Sequence, residues 1–193
     1  MKEALLNSYS VLEANNDLRK VRHLQYNSGN GWGLDFLMGH PIEETISENS
    51  ILVTFECKKT DLPDYFEVDG APVANHKLIN AFEEAGTSNF QAFPVDLHFE
   101  NGIVSGYYIF NIIGLISCID LEATKCTKFG PSIARILDLK LKSESDYNAT
   151  MFRDQKYKEI IFISENIKNR IEKNSITGCD IRTAEGWNDS HRF

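Results

Sequence analysis

Four carboxylates, Asp61, Asp64, Glu67 and Asp69, stand within nine positions of one another, with Tyr65 and Phe66 between them and His76 a little further on. Three kinds of chemistry use such a grouping. Paired carboxylates act as general acid and base when their separation is controlled and one pKa is raised, and the sequence displays neither condition. Carboxylates also hold calcium, but the regular alternation and closing Glu of an EF-hand loop are missing. A protein-binding patch fits better: an aromatic anchor among charges that steer a basic partner. The competing expectation tucks Tyr65 and Phe66 into the core and leaves the acids to solvate a turn. The expected partner-contacting residues are Asp61, Asp64, Tyr65, Phe66, Glu67, Asp69 and His76, and no catalytic residue is assigned.

Other reactive residue types are scattered. The cluster Gly29-Asn30-Gly31-Trp32-Gly33 lacks the preceding strand, the following helix and the Gly-Lys-Ser/Thr element of a phosphate loop, so it reads as a plain loop. His23, His40, His76, His98 and His191 share no ligand spacing, and no metal or cofactor is expected. His76, beside the acidic loop, has the chemistry of a base or a pH switch, but its position reads first as a surface residue at a helix start. Cys57, Cys118, Cys126 and Cys179 form no Cys-x-x-Cys pair and read as reduced thiols, most of them in or beside apolar segments. No serine nucleophile elbow is present. A small cleft lined by His76, Tyr107 and Tyr108 is the alternative site, and it would make the chain a ligand-binding protein or enzyme.

The elements that position these residues follow from periodicity. Residues 1–26 space their apolar side chains loosely as a helix, and residues 27–33 are a loop. Ile51–Cys57 is a β-branched strand. A helix is expected from about Asn75 to Glu84, with Gly86 at its C-terminal end. Phe90–Phe99 and Val104–Gly114 form a hairpin across Asn101-Gly102, with an edge position or a bulge at Pro94. Ile136–Lys142 alternates as a half-solvated strand. Further strands lie at Met151–Arg153 and Glu159–Ile163. Ser164 caps a helix that ends near Asn174, Ile176–Arg182 is a last strand, and the end from Trp187 looks frayed. The whole reads as α+β: a mixed, mostly antiparallel sheet with two or three short helices packed on it.

Composition narrows the partners. Hydrophobic residues make up 42% and charged residues 25% of the chain, the balance of a globular protein. No apolar run reaches the roughly 20 residues of a membrane span, and the start lacks a signal peptide's pattern, so a cytoplasmic protein is expected. Residues 1–96 hold 7 Lys/Arg against 15 Asp/Glu, while residues 97–193 hold 13 of each, so the net charge of −8 sits in the first half. Such a balance disfavours nucleic acid and anionic membrane and favours a basic partner.

Asp64-Tyr65-Phe66 with Gly70 and Pro72-Val73, followed by a helix ending near Gly86, resembles the opening of a bacterial immunity-protein domain, the eleventh-numbered immunity family of polymorphic-toxin systems. Tyr108–Asp120, with Asn111 in the strand and Cys118-Ile119-Asp120 after it, is similar to that family's central pattern. So are Met151-Phe152-Arg153, Ile160–Ser164 with its helix, and Ile176-Thr177-Gly178. The resemblance covers roughly Leu34–Trp187, which divides the chain into an N-terminal extension (1–33, helical or partly ordered), one α+β immunity-like domain (34–187) and a frayed tail (188–193). It implies a cytoplasmic, non-catalytic protein that binds and neutralises a cognate protein toxin, and it carries over no catalytic residue.

Overall fold

β-Branched and aromatic runs, broken by Gly, Pro and Asn, dominate this chain and fold as strands. The computed structural model describes residues 9–15, 24–26, 36–43, 50–53, 62–68, 70–142 and 149–191. In chain order the first elements are β1 (Ser10–Ala14), β2 (Leu24–Tyr26), β3 (Ser50–Val53), β4 (Tyr65–Val68), β5 (Ala71–Asn75) and α1 (His76–Glu84). There follow β6 (Phe90–Phe99), β7 (Gly102–Ile112), β8 (Leu115–Ile116), β9 (Lys125–Phe129) and β10 (Ser132–Asp138). The chain closes with β11 (Met151–Asp154), β12 (Ile161–Ile163), α2 (Glu165–Lys173), β13 (Cys179–Thr183) and a 3₁₀ turn over Asp189–His191. This is an α+β fold with mostly antiparallel pairing.

The strands divide among three sheets. A six-stranded sheet runs β2-β3-β6-β7-β5-β4, a five-stranded sheet runs β13-β1-β12-β11-β8, and β9 and β10 pair only with each other. Both large sheets are covered on two faces. Leu12, Met151, Ile161 and Ile163 of the smaller sheet and Tyr65, Ala74, Phe110 and Ile112 of the larger one share a core with Leu78 and Phe82 of α1 and Ile167 and Ile171 of α2. Val11, Phe152 and Phe162 face the opposite way, onto Cys118, Ile136, Tyr157 and Trp187. Phe66, Val73, Tyr107 and Ile109 do the same on the larger sheet, packing around Phe36 and Leu97.

Local signals explain the helices. The Asn75 side-chain oxygen accepts from the backbone N–H of Lys77 at 3.0 Å and of Leu78 at 3.4 Å, starting α1. The N–H groups of Gly86 and Thr87 return to the carbonyls of Glu83 and Phe82 and end it. In α2, Glu165 sits in the first turn and Arg170 and Lys173 in the last, as the helix dipole favours. Ser164 holds the N-cap position, yet its hydroxyl makes no cap bond, so the expected cap chemistry is absent.

Two further expectations are corrected. The helical start does not describe residues 10–14: β1 lies between β12 and β13, with Val11 and Leu12 fully buried on opposite faces. A strand covered on both faces has no polar side, so its period of two is invisible in sequence. The end is not frayed at Trp187 or Asp189, which are buried; Trp187 donates its indole N–H to Glu13 at 2.9 Å. The β6–β7 hairpin stands as expected. Pro94 lies beyond the stretch of β6 that pairs with β3, and a register shift follows it between Val95 and Leu97.

Where the two large sheets meet, Gly178 has φ +84° and a Cβ there would lie 2.1 Å from the Tyr65 carbonyl oxygen. The backbone of β4 therefore fits against this turn only because the side chain is missing. Gly178→Ala is expected to destabilise the protein by at least about 3 kcal/mol, combining left-handed strain with a backbone clash, read as a lower midpoint in urea denaturation.

Candidate functional site

The acidic segment is where the sequence concentrated chemistry, and the structure turns much of it inward. Asp64 is buried. Its Oδ2 accepts from the Thr177 N–H at 2.8 Å and the Thr177 hydroxyl at 2.9 Å, and its Oδ1 from the Asn75 amide at 2.5 Å, with Lys77 Nζ at 3.5 Å. Burial alone would raise the Asp64 pKa; the Thr177 backbone N–H, then the Asn75 and Thr177 side chains and the Lys77 charge, more than offset it and hold the carboxyl below its ordinary value.

Tyr65 is fully buried and donates to Glu67 Oε1 at 3.0 Å. Burial first, and the Glu67 charge second, push its phenol well above the usual range. Phe66 is buried on the other face of β4 against Tyr107, ring centroids 5.7 Å apart. Of the expected contact residues, Glu67 is half-buried, His76 is exposed at the start of α1, and Asp61 and Asp69 lie outside the described residues. The core placement of Tyr65 and Phe66 is thus the one observed.

Other buried acids follow the same logic. Asp154 Oδ2 accepts from the N–H groups of Cys118 at 2.9 Å and Ile119 at 3.1 Å, and its Oδ1 from those of Lys156 at 2.6 Å and Tyr157 at 3.1 Å. Asp189 accepts from Arg135 Nε at 2.9 Å, the Ile136 N–H at 3.0 Å and the Tyr157 hydroxyl at 3.1 Å. These oxygens are committed to holding loops. Two thiols are equally inert: burial, then the Asp154 charge, pushes Cys118 far up, and burial with Asp64 raises Cys179 to about 12.

Tyr107 and Tyr108 do not share a cleft. As neighbours on β7 they project to opposite faces: Tyr107 donates to the Pro63 carbonyl at 2.8 Å, and Tyr108 packs toward the core between the sheets. Across β5 they stand opposite Asn75 and Ala74.

One surface element was expected only in part: the strand foreseen at Ile136–Lys142 overlaps the end of β10, while β9 was not foreseen. β9 and β10 form a ribbon whose two-residue loop is Gly130-Pro131, with Gly130 at φ +60°. The Gly-Pro pair between two strand-like runs was the available signal. Phe129, the last residue of β9, is 85% exposed, and Lys125, Thr127 and Lys128 are exposed beside it.

A family model described as Immunity protein family (Imm11) matches residues 9–186. The chain belongs to that family. No curated protein matches it. Members of Imm11 are immunity proteins, a generally non-catalytic class that binds a cognate toxin. The match begins at residue 9, one position before β1, so β1, which pairs with both β13 and β12, lies within it. Among the described residues no helix is long and apolar enough to cross a membrane.

For this Imm11 chain the Asp64 cluster is a hold within the core, and its effect on stability has a defined pH sign. With a folded-state pKa below the unfolded value of about 3.9, Asp64 contributes fully above that value and loses its contribution as pH falls through the lower folded pKa. Asp64→Asn is expected to cost about 1–3 kcal/mol at pH 7 and distinctly less at pH 3, measured by urea denaturation at both.

Proposed function

We propose that this chain is a non-catalytic immunity protein that binds one cognate bacterial toxin and neutralises it by covering the toxin's active site. The observation that carries this reading is the family match over residues 9–186, which spans both large sheets. The net charge of −8 supports a partner with a basic surface, because an excess of one sign speeds encounter with the opposite sign. Within the acidic segment, Asp61, Glu67, Asp69 and His76 are the partner-facing residues in this reading, and Asp64, Tyr65 and Phe66 support them from inside. The protein works in the cytoplasm, without a cofactor or metal and without binding nucleic acid or membrane.

Co-expression tests it: a toxin that arrests growth alone should be harmless when this chain is produced with it, and the two should co-purify. Failure to protect would contradict the reading. In the complex, Asp61→Asn, Glu67→Gln and Asp69→Asn together are expected to slow association about tenfold at low salt and flatten its salt dependence, with dissociation little changed, by surface plasmon resonance.

A further inference from the structure

We propose that the β9–β10 ribbon is the docking arm for the toxin, and that Phe129 enters an apolar pocket with an acidic rim on that protein. This rests on the immunity reading and names the part of the chain that anchors the complex.

The first support is exposure. Leu121, Phe129 and Leu137 lie on or beside the ribbon, and they are three of the five large apolar side chains exposed among the described residues. Phe129 is the extreme, at 85%, and it is the exposed aromatic that an interface anchor requires now that Tyr65 and Phe66 are inside.

The second support is rigidity at the base combined with independence at the tip. Asp189 grips Arg135 Nε and the Ile136 N–H, and Leu139 exchanges backbone bonds with Trp187 and Gly186. The Thr124 hydroxyl bonds both the N–H and the carbonyl of Lys140. The ribbon joins neither large sheet, so its outer end is fixed in direction but uncovered. An anchor held ready in this way loses little conformational freedom on binding.

Charge supplies the chemistry of the pocket. Asp138 is occupied by Lys140 Nζ at 3.1 Å and Lys125 Nζ at 3.6 Å, whereas Lys128, next to Phe129, has no ion pair among the described residues. Lys128 leaves β9 on the face opposite Phe129, so it sets the charge of the ribbon's outer end and does not line the ring, and a tip of that sign fits an apolar pocket with carboxylates at its edge.

The test uses the full chain and a purified, catalytically inactivated form of the toxin that the co-expression test identifies, with affinities from surface plasmon resonance at two salt concentrations. Phe129→Ala is expected to weaken binding at least about thirtyfold, mainly through faster dissociation, with an unchanged melting temperature because the ring is exposed. Lys128→Glu is expected to slow association severalfold and reduce its salt dependence. Wild-type affinity in Phe129→Ala overturns the arm while leaving the immunity reading intact. Absence of binding by the wild type overturns the immunity reading, and the arm with it. Phe129-dependent binding to phosphatidylglycerol vesicles, or a dimer that Phe129→Ala abolishes, overturns the arm in favour of a lipid or a second copy.

Discussion

A carboxylate taken out of water must be met by donors, and at Asp64 that requirement organises the whole molecule. Its donors come from three places: Asn75, which also caps α1; Thr177, which leads into β13 of the smaller sheet; and Lys77 in the first turn of α1. The Tyr65 N–H bonds the Thr177 carbonyl at 3.1 Å and the Asn75 N–H bonds the Asp64 carbonyl at 2.9 Å, so the edge of the larger sheet is laid directly against the smaller one. Gly178 permits that approach by having no side chain. Asn89 makes a second tie, donating to the carbonyl of Ile113, one residue past β7, and to that of Met151 in β11. The shared core of Tyr65, Phe82, Phe110 and Ile163 then fills the space these ties define.

The same economy of buried acids explains why charge and function separate. Glu13 and Asp64 belong to the acidic first half, yet Glu13 meets the Trp187 indole and Asp64 meets Thr177, so neither is free to steer a partner. Asp189, in the charge-balanced second half, fixes the root of the β9–β10 ribbon. Carboxylates whose oxygens are taken up by backbone and side-chain donors are committed to holding the fold together.

The sequence made the fold class legible, together with α1, α2 and the β6–β7 hairpin, because each carries a local signal: a cap, an amphipathic stripe, a turn between two runs. β1 carried none. Five residues, four of them buried across both faces, show neither alternation nor helical spacing, and only the tertiary pairing with β12 and β13 gives them a conformation. The acidic segment misled for a related reason. Tyr65 and Phe66 are adjacent, which in an ordinary half-exposed strand would put one outside; here both faces of β4 are covered, and both rings are inside. The ribbon was legible only in part: the alternation from Ile136 to Lys142 overlaps the end of β10, but its register shifts between Ile133 and Arg135 and between Ile136 and Asp138 blur the pairing with β9. Its Phe129 becomes meaningful only when the structure shows the ring 85% exposed.

On the proposed reading, a rigid two-sheet body presents a preformed ribbon to a toxin. Amide hydrogen exchange, followed by mass spectrometry on the free chain and on its complex with the inactivated toxin domain, tests it most directly. Slow exchange across both sheets in the free chain, with new protection on binding concentrated at residues 125–138, is the predicted result. Protection confined to other segments with the ribbon unchanged, or sheets that open independently of one another, would contradict it.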